Sequence, residues 1–361
     1  MVDLTKPVAI MCFSSGAGGM EMSAINLANL LSKVTAVVLV CKKDSFVENL
    51  YHDKKQNYIC ESIKFSSRTF SIAMLLKARD LVCKYEVRNV VFLGASELKT
   101  LHFSFLGLPI NLIVLHGTTK SKSKKDFFHK VVYSNVNYHV AVSEYLLRNV
   151  RRIVPDVDSE RYKVIRLSYN HVHSRIEKNA NTADYINIIH VGRIVAGKGQ
   201  VDAVLACKLL KAMGVRFKLI FLGDSAGSNY VFDVKEAIRV NGLESMVILA
   251  GHVKDVASYL ENADIMLFPS RGEGLSLAFV EALHYNIVCI AYDNTVFPEY
   301  IGMGFYLHLV PDGDIPGLSN KLLQVASNLV TEKQMAFKNH ERARECFNPE
   351  RELNEWLEIL V

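Results

Sequence analysis

Two glutamates that lie eight positions apart, Glu273 and Glu281, have the clearest capacity for chemistry in this sequence. Glu273 lies in the loop after the apolar run Ile265 to Phe268, which is typical of a buried strand, and Glu281 lies two turns into a predicted helix. A buried carboxylate needs hydroxyl or N–H partners, and a ribose diol would satisfy Glu281. Taken singly, each glutamate is also typical of a solvated or ion-paired carboxylate.

The residues that open this predicted helix are Gly274, Leu275 and Ser276. Backbone N–H groups at a helix N-terminus lack partners within the helix and carry a partial positive charge. We therefore expect these amides to form an anion-binding end beside Glu273.

A second candidate site is the glycine-rich turn from Gly192 to Gly199, which follows the predicted strand Ile186 to Val191. Arg193 and Lys198 lie five residues apart on this turn. Two fixed cations at that spacing suit a diphosphate, whose two negative groups need fixed donors. Either cation alone would be explained by surface solubility, but the pair favours anion binding.

A third candidate site is the glycine-rich turn that follows the predicted strand Lys6 to Phe13 and contains Gly18 and Gly19. Such glycines let the backbone approach a ligand closely. Glu21 stands where a dinucleotide-binding fingerprint has its third glycine, which argues against a nicotinamide dehydrogenase. The alternative is a loop that only connects a strand to a helix.

The elements that would position these residues alternate between strand and helix throughout the 361 residues, which predicts parallel sheets with helices on both faces. A chain of this length favours two domains. We predict an N-terminal domain at 1–172, a linker at 173–184, a C-terminal domain at 185–345, and a closing helix within 346–361. The closing helix carries the only tryptophan, Trp356, and should dock on something already folded.

Composition narrows the classes of function. Half of the residues are hydrophobic and 22% are charged, as in an ordinary globular protein. The seven cysteines are widely spaced, and neither a Cys-x-x-Cys motif nor a metal-spaced His pair occurs, so no metal site is expected.

No apolar run reaches membrane-spanning length and no leader pattern is present, which predicts a cytoplasmic protein. The net charge of +5 is mild, and no nucleic-acid partner is expected.

Lysines cluster between Lys120 and Lys130, where Phe127 and Phe128 lie among them. This mixture of lysines and phenylalanines suits peripheral contact with the inner face of the cytoplasmic membrane, whose surface is anionic. A solvated, mobile loop explains it equally well.

The second half resembles the family-four class of retaining glycosyltransferases, the glycosyl transferases group 1 type, which have the GT-B fold. The motifs that carry the resemblance are Glu273-x(7)-Glu281, Gly192-Arg193 with Lys198-Gly199, Phe221-Leu222-Gly223-Asp224, and Ala263-Asp264 running to Pro269-Ser270. The resemblance extends from about Ile186 to Asp314. Over the first half it is thinner, at Gly18-Gly19-Met20-Glu21 and at His116-Gly117 after a strand. The sequence departs from the family pattern at Asn286-Ile287 and Asn170-His171.

The resemblance implies an α/β protein of two Rossmann-like, doubly wound domains that face each other across a cleft. It implies that Arg193 and Lys198 hold a donor diphosphate, that Glu273 and the amides of Gly274 to Ser276 hold the transferring sugar, and that Glu281 binds the ribose. His252 and Val253 would line the base, while Gly18, Gly19 and His116 would come from the facing domain. The implied catalytic residues are Glu273, His116, Arg193 and Lys198.

The implied activity is metal-independent, retaining transfer of a hexose from a nucleotide-diphosphate sugar to a glycan or lipid-linked acceptor, in polysaccharide or lipopolysaccharide biosynthesis. No cofactor is expected beyond the donor itself. The alternative is a noncatalytic protein of the same fold that binds nucleotide sugars or acts as a scaffold. A glycosidase that uses Glu273 and Glu281 is disfavoured, because a retaining pair needs carboxyl groups about 5 Å apart.

Overall fold

The chain folds around short runs of Val, Ile, Leu and Phe, which form buried parallel strands. In the computed structural model the described residues are 6–16, 18–53, 56–66, 70–94, 96–155, 157–169, 185–225 and 227–360. The chain divides into an N-terminal unit, Met1–Ser168 with Pro349–Val361, and a C-terminal unit, Tyr169–Asn348. The predicted linker at 173–184 lies outside the described residues.

The N-terminal unit contains a seven-stranded parallel sheet in the order β3-β2-β1-β4-β5-β6-β7. Its strands are β1 Val8–Cys12, β2 Val37–Lys42, β3 Ile59–Ile63, β4 Asn89–Leu93, β5 Asn111–His116, β6 Val136–Ala141 and β7 Tyr162–Val164. Its first six helices are α1 Gly19–Leu31, α2 Phe46–Asp53, α3 Ile72–Lys84, α4 Leu98–Ser104, α5 Phe127–Tyr133 and α6 Glu144–Ile153. Every residue of β1 is buried, as a central strand covered on both faces requires.

The C-terminal unit contains a six-stranded parallel sheet in the order β10-β9-β8-β11-β12-β13. Its strands are β8 Ile186–Val191, β9 Phe217–Leu222, β10 Val247–Gly251, β11 Ile265–Phe268, β12 Val288–Asp293 and β13 His308–Pro311. Its helices are α7 Gln200–Ala212, α8 Tyr230–Val240, α9 Ala257–Glu261, α10 Leu277–Leu283, α11 Phe297–Gly302, α12 Ile315–Ser327, α13 Leu329–Ala336 and α14 Lys338–Cys346. Short 3-10 turns occur at Ser159–Arg161 and Ala196–Lys198.

The last helix, α15 Pro349–Leu357, packs within the N-terminal unit. Its Trp356 is fully buried, and its Glu352 accepts a hydrogen bond of 2.5 Å from the backbone N–H of Ser168. The amide of Asn111, at the start of β5, donates to the carbonyl of Ile359 at 2.8 Å. These contacts tie the end of the chain to the first sheet, and α15 lies within the range 346–361 in which a closing helix was predicted.

The helical pattern in the segment Lys120 to Lys130 was missed. Asp126 accepts a hydrogen bond from the backbone N–H of His129 at 3.1 Å and so caps α5. Phe127 and Phe128 therefore lie in the first turn of a helix. Within the described part of the chain, no helix is both long enough and apolar enough to cross a membrane.

Candidate functional site

The second sheet changes direction between β8 and β11. From β8 the chain moves outward through β9 to β10, and then returns to place β11 on the opposite side of β8. At such a switch point the loops after the two strands diverge and leave a crevice at their carboxyl ends, where α/β proteins bind ligands. Arg193 and Lys198 follow β8, and Glu273 follows β11, so three of the predicted site residues come from the two loops that flank this crevice.

The two loops approach each other at Gly199. This residue has a left-handed backbone with φ of +71°, and a Cβ placed on it would lie 2.0 Å from the carbonyl oxygen of Pro269. Only glycine fits such a position. The backbone N–H of Arg271 donates to the carbonyl of Gly197 at 2.9 Å, which fastens the loops together.

Lys198 and Glu273 form a direct ion pair across these loops. The Nζ atom of Lys198 lies 2.5 Å from Oε1 of Glu273, and the hydroxyl of Ser270 donates to the same oxygen at 2.5 Å. The Glu273 side chain is only 7% exposed, so the cation and the hydroxyl offset the cost of burying its charge. The prediction assigned Lys198 to the diphosphate and Glu273 to the sugar without pairing them, and it gave Ser270 no role.

Arg193 is exposed on the turn after β8. Its carbonyl accepts a hydrogen bond from the Gln200 side chain at 2.9 Å, which holds the backbone of the turn. No described side chain forms an ion pair or hydrogen bond with its guanidinium. The structure thus places a solvated cation at the mouth of the crevice, next to the neutralised Lys198–Glu273 pair.

His190, near the end of β8, holds the same turn through a hydrogen bond to its backbone. It is fully buried, and its Nε2 lies 2.9 Å from the carbonyl oxygen of Lys198. Burial lowers the pKa of His190 to about 4 despite that hydrogen bond, so the ring is neutral and donates through Nε2. Its ring stacks on Phe268 with centroids 5.0 Å apart. A polar residue that interrupts an apolar strand was the sequence signal for this support.

The turn before α10 differs slightly from the prediction. The helix begins at Leu277, and Ser276 precedes it with a left-handed φ of +60°. Gly274 and Leu275 are buried in the turn, and the Tyr300 hydroxyl donates to the Leu275 carbonyl. The amides of Gly274 to Ser276 therefore lie in a constrained turn that leads into the helix, on the β11 side of the crevice.

Glu281, on α10, has a protein partner that the sequence did not indicate. The hydroxyl of Tyr169 donates to its Oε1 at 2.7 Å, and the Tyr169 ring packs against His284 with centroids 5.1 Å apart. Burial raises the pKa of Glu281, and the Tyr169 hydrogen bond offsets part of that rise. The need for a buried hydroxyl partner, predicted from the sequence, is met in this structure by a tyrosine 112 residues away.

His252 and Val253 follow β10, the edge strand on the far side of β9. His252 is exposed and Val253 is half-buried. Two strand spacings separate β10 from β8, which amounts to about 10 Å. These two residues therefore follow the carboxyl end of a strand of the same sheet as Lys198 and Glu273, about two strand spacings from them.

A second network anchors the loop after β11. The guanidinium of Arg271 contacts Asp202 of α7 at 2.7 Å and Asp312 at 2.9 Å, while the Tyr292 hydroxyl donates to Asp202 at 2.8 Å. These bonds fix the loop that carries Ser270 and Glu273 to a helix and to β12. No local pattern in the sequence indicated this network.

The N-terminal unit has a cavity of about 310 Å³ at the carboxyl ends of its central strands. Its polar lining includes Ser14, Lys42, Glu97, His116 and Lys120. The predicted Gly18 and Gly19 do not line it. Instead, a carboxylate oxygen of Glu21 lies 3.3 Å from where a Cβ of Gly18 would be, so the close approach at this glycine is to the chain's own α1 helix.

His116 reaches this cavity from the end of β5 and is buried. Its Nε2 lies 3.1 Å from Nδ1 of His139, and burial, with a further contribution from the nearby Lys120, holds its pKa well below the usual value. His116 is therefore a neutral hydrogen-bonding group at physiological pH. Burial and the charge of Lys124 lower the pKa of Lys120 to about 8.

Among the described residues, no group of three His, Cys, Asp or Glu side chains is arranged to hold a metal ion. The charged groups at the β8–β11 crevice are two cations and one carboxylate, a set suited to a polyanion that carries hydroxyl groups.

Residues 173–344 match the family model described as "Glycosyl transferases group 1", which confirms the resemblance over that part of the chain. The amylovoran biosynthesis glycosyltransferase AmsK of Erwinia amylovora is 25% identical over 64% of this chain and 62% of that protein. An uncharacterized glycosyltransferase, MJ1178 of Methanocaldococcus jannaschii, is 25% identical over 86% of this chain and 85% of its own length. The first of these alignments thus spans less than two thirds of the relative's length.

Two solved structures resemble the whole chain. A glycosyltransferase from Rickettsia africae superposes with a TM-score of 0.84 at 17% identity, over 99% of this chain and 98% of that one. The Anabaena protein Alr3699/HepE, determined in complex with UDP, superposes with a TM-score of 0.82 at 16% identity, over 98% of this chain and 99% of that one. At these identities the likeness establishes the fold, and the predicted GT-B class is confirmed.

Proposed function

From the premise that its second half is a glycosyl transferases group 1 region of GT-B fold, we propose that the chain is a retaining glycosyltransferase. It transfers a hexose from a nucleotide-diphosphate sugar to a glycan or lipid-linked acceptor. We place this activity in the biosynthesis of a cell-surface polysaccharide.

The observation that carries the proposal is the ion pair of Lys198 and Glu273 at the switch point between β8 and β11, with the exposed Arg193 on the same turn as Lys198. A diphosphate that enters this crevice would be attracted by both cations. It would compete with Glu273 for Lys198 and so release a carboxylate oxygen to accept sugar hydroxyls. One bound donor would thereby satisfy all three charges, which matches the division of roles that the family resemblance implies.

The relatives support the class of donor and product. HepE was determined in complex with UDP and in complex with UDP-glucose, and AmsK is named for amylovoran biosynthesis. We therefore propose a UDP-hexose as the donor and a growing polysaccharide or its lipid-linked precursor as the acceptor.

In the proposed reaction the bond between the sugar's anomeric carbon and the diphosphate breaks, and a bond to the acceptor oxygen forms on the same face. The acceptor hydroxyl proton passes to the leaving phosphate oxygen. Arg193, Lys198 and the amides of Gly274 to Ser276 stabilise the negative charge that develops on the diphosphate. Preorganised electrostatic stabilisation of this kind is commonly the largest contribution to catalysis, and the proposal requires no metal ion.

Binding and turnover are tested separately. Thermal unfolding is measured with UDP-, GDP-, ADP- and dTDP-sugars, because a ligand that binds only the folded state raises its stability. The best donor is then incubated with candidate acceptors in EDTA, and the anomeric configuration of the product is read by NMR. Stabilisation by one nucleotide sugar and a retained anomer are expected.

Two results would contradict the proposal in different ways. If no nucleotide sugar stabilised the protein, the proposed donor site would be wrong. Stabilisation without hydrolysis or transfer to any acceptor would favour the alternative, a noncatalytic protein that binds nucleotide sugars.

A further inference from the structure

The cavity of the N-terminal unit has two lysines and one carboxylate in its lining. Lys42 ends β2 and Lys120 follows β5, so the two cations come from strands that flank β1 and β4. Of the residues that the structure describes, none forms an ion pair with either ammonium. The carboxylate is that of Glu97, which accepts a hydrogen bond from the Ser96 hydroxyl at 3.0 Å. The lining therefore carries more positive than negative charge.

Lys120 is held in this cavity by its backbone. Its N–H donates to the side-chain oxygen of Asn149 at 3.0 Å, and the Asn149 amide returns a bond of 3.0 Å to the Lys120 carbonyl. The side chain is half-buried, and burial together with the charge of Lys124 lowers its pKa to about 8, so it is still mostly protonated at neutral pH. Partly buried cations are normally stabilised by an anion. For Lys120 the described part of the chain supplies no such anion within ion-pair distance.

His116 adds a polar group to the same lining. Its Nε2 contacts Nδ1 of the fully buried His139, whose ring stacks on Tyr133 and Tyr162 with centroids 5.7 and 5.5 Å apart. Its other nitrogen, Nδ1, is buried and has no hydrogen-bond partner in the structure. Both imidazoles are neutral, so when His139 donates to Nε2, His116 carries its own proton on Nδ1 and can donate to a ligand.

The rest of the lining suits a sugar ring. Phe13 and Phe65 line the cavity and pack edge to face with centroids 5.6 Å apart, and the ammonium of Lys42 lies 5.5 Å from the Phe65 centroid. Ser14 and Thr118 add hydroxyl groups. Aromatic rings can pack on the C–H groups of a sugar while hydroxyls bond to its oxygens. The volume of about 310 Å³ suits a single sugar unit.

We propose that this cavity binds an acidic sugar of the acceptor and that Lys42, Lys120 and Nδ1 of His116 hold its carboxylate or phosphate. A neutral sugar would leave the charge of Lys120 without a counter-ion, whereas an anion satisfies the lysines and the imidazole together. That the bound sugar is the acceptor rests on the proposed function. The anion site itself does not.

Four probes are compared by calorimetry on the full-length protein: methyl β-D-glucoside, methyl β-D-glucuronide, glucose 6-phosphate and inorganic phosphate. One of the two sugar anions should bind about tenfold or more tightly than the neutral glucoside, because hydrogen bonds to charged groups are the stronger ones. The tighter of the two identifies a carboxylate or a phosphate. Equal affinity for the glucoside would overturn the proposal. Inorganic phosphate that bound as tightly as both sugar anions would also overturn it, because the site would then hold a free anion only.

Lys120→Met removes the charge and keeps most of the apolar stem. It should weaken binding of the sugar anion about tenfold and leave the glucoside unaffected. Because it removes a partly buried charge that has no ion-pair partner, the thermal midpoint should stay the same or rise. Lys42→Met is the second variant and should also weaken the anion. The matched control is Lys33→Met, which removes an exposed lysine that precedes β2 at the opposite edge of the sheet and should bind as the wild type does. Wild-type affinity in both Lys120→Met and Lys42→Met would overturn the proposal.

Thermal stabilisation by nucleotide sugars and transfer to the two glycosides separate this inference from the proposed function. If a nucleotide sugar binds and its sugar is transferred to the glucoside as readily as to the acidic sugars, the inference is wrong and the proposed function stands. If the sugar anions bind through Lys120 and no nucleotide sugar binds, the anion site stands and the proposed function is wrong.

Discussion

The ammonium of Lys198 lies 2.5 Å from the buried carboxylate of Glu273, so the turn after β8 and the loop after β11 are joined by an ion pair. The two residues are 75 positions apart in the chain. This ion pair joins the two loops and, under the proposed function, lies at the centre of the donor site. Each of these two roles leads to its own testable prediction.

Because the ion pair joins the two loops, Lys198 and Glu273 should show energetic coupling in their effects on stability. Replacing Lys198 by methionine leaves a buried carboxylate without its cation, and we expect a loss of about 1 to 3 kcal/mol in the free energy of unfolding. A double-mutant cycle with Glu273→Gln, measured by urea denaturation, should give a coupling energy of about 1 to 3 kcal/mol. Additive effects of the two substitutions would show that the contact contributes nothing to stability.

Arg193 should matter for turnover and hardly for folding. Its guanidinium is exposed, so Arg193→Ala should leave the thermal midpoint nearly unchanged. Loss of one preorganised cation should cost about 2 to 4 kcal/mol of transition-state stabilisation, which is a fall of about 30-fold to 10³-fold in kcat/KM. The matched control is Arg239→Ala, which removes an exposed arginine of α8 that forms an ion pair with Glu236. Normal turnover by Arg193→Ala would remove this residue from the site.

Gly199 should tolerate no side chain. Its φ is +71° and a Cβ would meet the Pro269 carbonyl, whereas Gly214 has a φ of +72° with nothing within 4 Å of its Cβ position. Gly214→Ala should therefore cost only the left-handed conformation, about 1 kcal/mol. Gly199→Ala should cost about 2 kcal/mol more, because backbone must move. Equal losses in urea denaturation would mean that the two loops separate without strain.

Tyr169 should compete with the donor for Glu281. If Glu281 binds ribose hydroxyls, the Tyr169 hydroxyl must give up its hydrogen bond when the nucleotide enters. Tyr169→Phe should then tighten UDP binding by about 0.5 to 1.5 kcal/mol, as measured by calorimetry. Phenylalanine keeps the ring contact with His284, so folding should persist. Weaker binding would indicate instead that the hydroxyl positions Glu281 for the ribose.

The raised pKa of Glu281 gives nucleotide binding a pH dependence. Burial favours the protonated form, while ribose hydroxyls donate to the ionised form, so binding is linked to proton release. The affinity for UDP should therefore rise as the pH increases through the raised pKa of Glu281. Glu281→Gln should remove that component and leave only the titration of the phosphate. Identical pH profiles for the two proteins would exclude a role for Glu281 ionisation.

Much of the second sheet could be predicted from residue type. The predicted strands Ile186 to Val191 and Ile265 to Phe268 match β8 and β11 residue for residue. They are apolar runs with polar or glycine-rich ends, which is the pattern of a strand covered on both faces. Strand β3 was missed, because it is a half-exposed edge strand, Ile-Cys-Glu-Ser-Ile, in which polar residues break the apolar run.

The segment 120–130 shows a different kind of failure. Its lysines and phenylalanines were noticed, but its contact with α4 was not predictable. Phe128 lies beside Lys99 of α4, 29 positions earlier in the sequence, only because α5 packs against α4. A helix as short as α5 also gives too few residues for a reliable period.

The order of residues along the chain was enough to specify the alternation of strands and helices and the charged and glycine-rich turns at the strand ends. These features are local, since they depend on side-chain period and on the backbone freedom of a few glycines. Which turns meet depends on strand order, and strand order is a property of the folded sheet. Folding alone placed Lys198 against Glu273 and Tyr169 against Glu281, because buried charges and hydroxyls take partners by distance in space, however far apart they lie in the sequence.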